Sequence, residues 1–322
     1  MALPDKKPYE RLSDYLERTL PGELEAGKSR GKATADIIAK FNAPPEREMF
    51  APFIWGYANN AADGGDDDAN AYIAAVITAG GALSDAQEAA IQTLFTDLKS
   101  NSLYTKLDVL YPMMGGTAAS TALNANRTNS AYDITWNGSL TFSSNGVTGN
   151  SSGDYGNTNY NLNTFGDPNN FGYGIYATEG NYGEEFYQFG AFDGTSLQAY
   201  RGDSTSTIGI AGWSNGARPN INVNVGDRDG QFTGTFSGTT KTLYFKDGGT
   251  NDTSVSCTAT GTAALPNQPF FLFTLNLNGS SYEPYNGRIQ TFWVGESLTS
   301  GEVTTINTII NDFNTTLGRT LY

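Results

Sequence analysis

From Tyr132 onward the chain alternates between apolar and polar positions in short runs separated by turn residues. Ile221, Val223 and Val225 are interleaved with asparagines, and Phe271, Phe273 and Leu275 follow much the same rule. A period of two marks a half-buried strand. The pattern predicts strands at 132–136, 139–142, 172–178, 185–192, 197–201, 207–212, 221–225, 232–236, 242–245, 254–259 and 270–277. Short strands with turn signals roughly every 8–12 residues predict a β-sandwich. Thr242–Phe245 followed by Lys246-Asp247-Gly248-Gly249 is a hairpin signal.

The two ends depart from this period. After Asn286-Gly287, residues 288–294 (RIQTFWV) form an apolar run able to bury both faces, and Gly295 breaks it. Thr299 and Glu302 stand three apart, the spacing of a capping box. Val303, Ile306, Ile309, Ile310, Phe313 and Leu317 then recur at helical spacing, ahead of Gly318 and Arg319. Toward the N-terminus, Asp63-Gly64-Gly65-Asp66-Asp67-Asp68 precedes a helix near 69–78 that stops at Gly80-Gly81. Acidic residues favour helix N-termini, so this run reads as a solvated linker and cap. It lacks the glycine and glutamate positions of a calcium-binding EF-hand loop. Ser84 and Gln87 form a second capping box before the stripe Ile91, Leu94, Phe95 and Leu98. A third helical piece is expected at 103–110, and a loop of small residues at 113–127.

Residues 1–60 differ from both regions. They are dense in charge and cut by prolines, with Lys28, Arg30 and Lys32 in a basic patch. Two short helices are conceivable, at 9–19 and 33–41, and an apolar cluster holds Phe50, Phe53, Trp55 and Tyr57. The segment lacks a core of its own. Its aromatics either dock on the helical part of the same chain or order on a partner protein.

Two passages resemble a known group. The pattern Y-x-G-R-I-x-x-F-x-x-G-x-S-L-T, followed by a helix ending F-N-x-x-L-G-R, resembles the last strand and terminal helix of concanavalin-like (laminin-G-like) jelly rolls in bacteriophage virion proteins. D-A-N-A-Y-I-A-A-V is similar to the segment before that jelly roll, and L-Y-F-K-D-G to one of its strand–turn units. The resemblance spans about residues 68–322. It implies a mainly β, concanavalin-like jelly-roll sandwich (129–322) preceded by a small helical domain (61–128); the extended N-terminal arm (1–60) lies outside the resemblance and is read from its charge, prolines and aromatic cluster. It also implies a structural role in a virion, made in the bacterial cytoplasm and present as a homo-oligomer or in many copies. The partners would be capsid or tail proteins, with Lys28, Arg30, Lys32, Phe50, Phe53, Trp55 and Tyr57 as attachment residues.

Composition narrows the chemistry. The net charge of −14 argues against nucleic acid or an anionic membrane as the main partner. The chain has no histidine, which removes Ser-His-Asp and Cys-His catalysis. Cys257 is the single cysteine, so no intramolecular disulfide forms, and its setting reads as a strand. No apolar h-region opens the sequence, no run reaches 18 apolar residues, and no G-x-x-x-x-G-K phosphate loop occurs. Glu179, Glu184 and Glu185 do not form the E-x-D-x-x-E strand of sandwich glycosidases, so the chain is expected not to be an enzyme.

A lectin-like role is the alternative. Tyr182, Tyr187, Tyr200 and Trp213 could supply a stacking face for host surface glycans. Asp227 and Asp229, in G-D-R-D-G, are spaced like calcium ligands but equally like an ordinary turn. Calcium is the one cofactor the sequence suggests.

Overall fold

The computed structural model describes residues 65–165, 167–178, 180, 185–202, 207–213, 220–222, 229–247, 253–258 and 265–319. In chain order the helices and strands begin with α1 (Asp67–Thr78), α2 (Asp85–Ser100), β1 (Leu107–Tyr111), α3 (Ala118–Thr121), β2 (Thr135–Asn137), β3 (Thr141–Ser143) and β4 (Gly146–Thr148). Next come β5 (Tyr155–Asn161), β6 (Asn170–Ala177), β7 (Phe186–Phe192), β8 (Leu197–Gly202), β9 (Thr207–Trp213) and β10 (Asn220–Asn222). The chain continues through β11 (Gly230–Ser237), β12 (Thr240–Lys246), β13 (Thr253–Thr258), β14 (Pro269–Leu272), β15 (Leu275–Leu277), β16 (Ser280–Tyr282), β17 (Arg288–Gly295) and α4 (Ser300–Thr316).

Two sheets form the sandwich. The first runs β13-β12-β11-β6-β17-β4-β3, with β1 also paired to β17. The second runs β10-β9-β8-β7-β14-β5-β2, with β15 and β16 attached beside β7. The mainly β, two-sheet sandwich expected from the strand spacing is the observed architecture, in keeping with the jelly-roll class that the resemblance implies.

The alternation explains which side chain goes where. On β6, Phe171, Tyr173, Ile175 and Ala177 enter the core between the sheets, while Tyr176 points to the opposite side. On β17, Ile289, Phe292 and Val294 enter that same core, and Trp293 faces the helices. The run 288–294 therefore buries both faces, as its composition requires. Each sheet face needs a cover. Helices α1, α2 and α4 supply it on the outside of the first sheet, packing with Tyr176 and Trp293 in a second apolar cluster. Where Trp293 crosses β6, Gly174 makes room: a Cβ there would lie 2.2 Å from the indole Nε1.

The caps form as the sequence spacing demands. Ser84 with Gln87, and Thr299 with Glu302, both close as reciprocal capping boxes. Asp66 caps α1, accepting from the amides of Asp68 and Ala69. Polar tethers fix α4 in place. Thr233 donates to Asn307 (2.9 Å), Tyr176 to Asn311 (3.1 Å) and Asn314 to Thr291 (3.2 Å). Past α4, Arg319 turns inward. It is buried and donates to the carbonyls of Ser144 (2.9 Å), Pro112 (3.0 Å) and Met113 (3.3 Å). Burial pulls its pKa down to about 10, so it stays charged at neutral pH.

Several elements differ from the sequence pattern. The piece at 103–110 is not helical beyond a 3-10 turn at Tyr104–Lys106; it continues as β1, antiparallel to β17. A backbone edge left open on β17 claims it, and that pairing outweighs local propensity. The small-residue loop contains α3. Residues 270–277 divide into β14 and β15, because Phe273 adopts a positive φ of 70° between them. Strands β4, β5 and β16 carry too many Gly, Asn and Ser residues to be legible as strands. β12 and β13 pair antiparallel, as the hairpin signal predicts, while Gly248 and Gly249 of its turn lie outside the described residues. The expected short helices at 9–19 and 33–41 lie outside the described residues.

Candidate functional site

A polar cleft of ≈ 410 Å³ opens where β1, β5 and the start of β6 meet, lined by Thr105, Lys106, Asp108, Asn129, Tyr132, Tyr160, Asp167, Asn170 and Glu296. Its residues are spread over 190 positions and assembled by backbone geometry. The register of β1 against β17 slips between Leu107 and Val109. A bulge of this kind re-aims one side chain, here Asp108, away from the sheet. Just before it, the Lys106 carbonyl accepts from the Glu296 amide at 2.9 Å. That approach depends on Gly295: a Cβ there would lie 2.0 Å from the Lys106 oxygen. Gly295 thus ends the last strand and brings Lys106 and Glu296 to one rim.

The floor is a tyrosine–carboxylate pair. Tyr160 donates its hydroxyl to Asp108 Oδ2 at 2.6 Å. Burial first, and the adjacent carboxylate second, push the Tyr160 pKa far above its ordinary value, so the phenol remains the donor. Tyr132 meets Tyr160 edge to face, with centroids 5.0 Å apart and planes at 82°. Such a contact adds about 0.5–1.5 kcal/mol to simple burial. The buried Tyr111 hydroxyl fixes the Tyr132 segment by donating to its carbonyl at 2.5 Å.

Asn124 is the organiser of the wall. Fully buried, it accepts from the Leu110 amide (2.9 Å) and donates to the carbonyls of Asp108 and Asn129 (both 3.3 Å). Asn129 in turn donates to the Asp108 carbonyl at 3.2 Å. Arg127 and Asp133 close this loop through two bonds of 2.6 and 3.1 Å. On the far side Asn170 Oδ1 accepts from the Ser297 hydroxyl (2.7 Å) and amide (3.2 Å), which leaves its NH₂ for the cleft. Lys106 is held by Glu302 at 2.6 Å. The lysine hydrogen bond, followed by the Thr299 amide, lowers the Glu302 pKa.

The cleft can therefore accept hydrogen bonds at Asp108, Asp167, Glu296 and Asn129, donate from Asn170 and Thr105, and present the half-buried Tyr132 ring, with Tyr160 buried behind it. Among the described residues no group of three or more His, Cys, Asp or Glu is placed to hold a metal ion. A second cavity of ≈ 290 Å³ between α2 and α4 is mostly apolar, with Leu94, Ile309 and Phe313 in its walls beside Thr93, Asp97, Asp312 and Thr316.

The residues singled out from sequence fall elsewhere. Tyr187 lies on β7, 8% exposed, packed with Leu197, Ala199 and Leu275 and 6.5 Å from the exposed Tyr282 ring. Tyr200 and Trp213 lie on β8 and β9, with side chains outside the described set, and Tyr182 and Asp227 are outside it altogether. Asp229 is exposed just before β11. Glu185 is exposed before β7, whereas Glu179 and Glu184 are not described. Lys28, Arg30, Lys32, Phe50, Phe53, Trp55 and Tyr57 also lie outside the described residues. Cys257 sits half-buried on β13, opposite Lys241. Sequence reading missed the cleft because Asp108 was assigned to a helix; the alternation of Leu107, Val109 and Tyr111 around it was the available signal.

No family model matches the chain, and no curated protein does. Several solved structures match part of the chain at low identity and at TM-scores below 0.5. The carbohydrate-binding module CBM40 of Ruminococcus gnavus IT-sialidase, bound to α2,6-sialyllactose, is 10% identical with a TM-score of 0.39, over 50% of this chain and 96% of that one. A leech intramolecular trans-sialidase, complexed with 2,7-anhydro-Neu5Ac, is 10% identical at a TM-score of 0.36, over 47% of this chain and 26% of that one. A mutant Trypanosoma rangeli sialidase displaying trans-sialidase activity is 10% identical at 0.44, over 70% of this chain and 39% of that one. The expectation of a non-enzymatic chain is corrected here: sialidases and trans-sialidases stand among these neighbours, and that exclusion is withdrawn.

Proposed function

We propose that the chain is a carbohydrate-binding β-sandwich whose ligand site is the Asp108–Tyr160 cleft. The observation that carries this reading is the cleft itself. Its ≈ 410 Å³ falls within the range of small-molecule sites, about 300–1,000 Å³. Carboxylates, amides and hydroxyls suit sugar hydroxyls, and the half-buried Tyr132 ring, backed edge to face by the buried Tyr160, offers apolar surface beside them. The groups are held by the buried Asn124 and Tyr111 and the half-buried Ser297, so little ordering entropy is lost on binding. The test is a glycan array probed with the full chain, with and without calcium. Asp108→Ala and Tyr160→Phe should each remove or sharply weaken the hits; retention of every hit by both folded variants would exclude the cleft.

The setting we propose is a bacteriophage virion, with residues 1–60 as the attachment device to a capsid or tail protein and several copies per particle. The resemblance of Tyr285–Arg319 to virion jelly rolls supports it, and that stretch folds as a strand, a capped turn and a helix. Immunogold labelling of purified particles would locate the chain; label absent from intact and disrupted particles alike would end this part of the proposal.

A further inference from the structure

We propose that, if the cleft is a sugar site, it selects uncharged or amino sugars and turns away anionic ones. The argument is an inventory of charge and of hydrogen-bond direction. Three carboxylates, Asp108, Asp167 and Glu296, line the cavity, against the single lysine Lys106. That lysine is already engaged, 2.6 Å from Glu302, so most of its charge is answered before a ligand arrives. Arg127, in the loop behind Asn129, is committed through both terminal nitrogens to Asp133. The Tyr160 proton goes to Asp108 rather than into the cavity. Asn129 spends one amide proton on the Asp108 carbonyl, which leaves its oxygen as an acceptor and one remaining N–H.

What remains facing solvent is rich in acceptors and negative in sign. Sugar hydroxyls and ammonium groups are donors and complement it. A carboxylated sugar would bring a fourth negative charge into a partly desolvated space whose one lining cation, Lys106, is already paired with Glu302. The background is unfavourable too, since the chain carries a net charge of −14. Recognition of an anionic sugar calls for a forked guanidinium or a similar donor set, and none lines this cavity among the described residues.

Calorimetric or NMR titrations of the full chain with glucosamine, N-acetylglucosamine and 3′-sialyllactose at low ionic strength test this. We expect glucosamine to bind at least as tightly as N-acetylglucosamine and at least tenfold more tightly than sialyllactose. Raising the salt concentration should erode the glucosamine advantage. Glu296→Gln, at an exposed position with no fold to endanger, should narrow it further, and Asp108→Asn should narrow it most. Sialyllactose binding as tightly as the other two, and lost in Asp108→Ala, would overturn the selectivity while leaving the sugar site standing. No binding by any of the three, together with a blank glycan array, would overturn the sugar site and the selectivity with it.

Discussion

Ile306→Asp probes the packing of α4 against the outer face of the first sheet. Ile306 is fully buried in the cluster that holds Trp293 and Tyr176. Removing its apolar bulk costs about 2 kcal/mol or more, the lower part of the range for large-to-small core changes. The introduced carboxyl must also be neutral to stay inside. From an ordinary pKa of about 3.9, protonating it at pH 7 costs roughly 4 kcal/mol. The sum, about 6 kcal/mol, competes with a typical total stability of about 5–15 kcal/mol, and corresponds to a fall of about 15 °C in Tm for a unit of this size. The sign of the pH dependence follows. The new group's folded pKa is raised, so the protonation part of the penalty is absent below about pH 4 and grows as pH rises toward 7. Urea and thermal melts followed by circular dichroism at pH 7 and pH 4 measure both, with wild type at each pH as the reference. Thr304→Asp, on the exposed face of the same helix, should stay within about 0.5 kcal/mol of wild type. An Ile306→Asp chain melting within a degree or two of wild type, or equally destabilised at both pH values relative to it, would refute the packing described.

Gly174→Ala should destabilise by about 1–3 kcal/mol, because its Cβ would stand 2.2 Å from Trp293 Nε1; pairing it with Trp293→Leu should recover part of the loss, and a neutral single variant would contradict the close crossing. Acid should weaken the fold below about pH 4.5, the ordinary value for Glu302, whose folded pKa is lowered by Lys106. A depressed carboxylate contributes stability that is present above its unfolded pKa and is lost as pH falls through the folded one. The same sign holds for Asp66: burial alone would raise it, but Lys99 and the α1 amides outweigh that effect. In Glu302→Gln this acid sensitivity should be smaller, as melts between pH 6 and 3 would register.

The sandwich and its helical cover were legible because period and caps agreed. Thr299 with Glu302 and Ser84 with Gln87 announced two helices whose boxes the structure closes. RIQTFWV announced a strand covered on both sides. What escaped the sequence depends on contacts between distant segments. β1 is a strand because β17 offers it an edge, and Asp108 leaves that strand because the register slips. The hydrogen bond that Ser297 donates to Asn170, 127 positions away, carries no local mark. Aromatic residues in turn-rich stretches were a poor guide: Tyr187 is packed under Leu275 and Leu197, whereas Tyr160, in an asparagine-rich run, floors the cleft.

The central claim is that the Asp108–Tyr160 cleft is where a sugar binds, and the most direct test is the position of a bound one. A crystal structure of the chain soaked with its best array ligand should show a pyranose ring against Tyr132, with a hydroxyl or ammonium on Asp108. Density for the sugar on the β7–β8–β9 face near Tyr187, Tyr200 and Trp213, with the cleft empty at saturating ligand, would contradict the account.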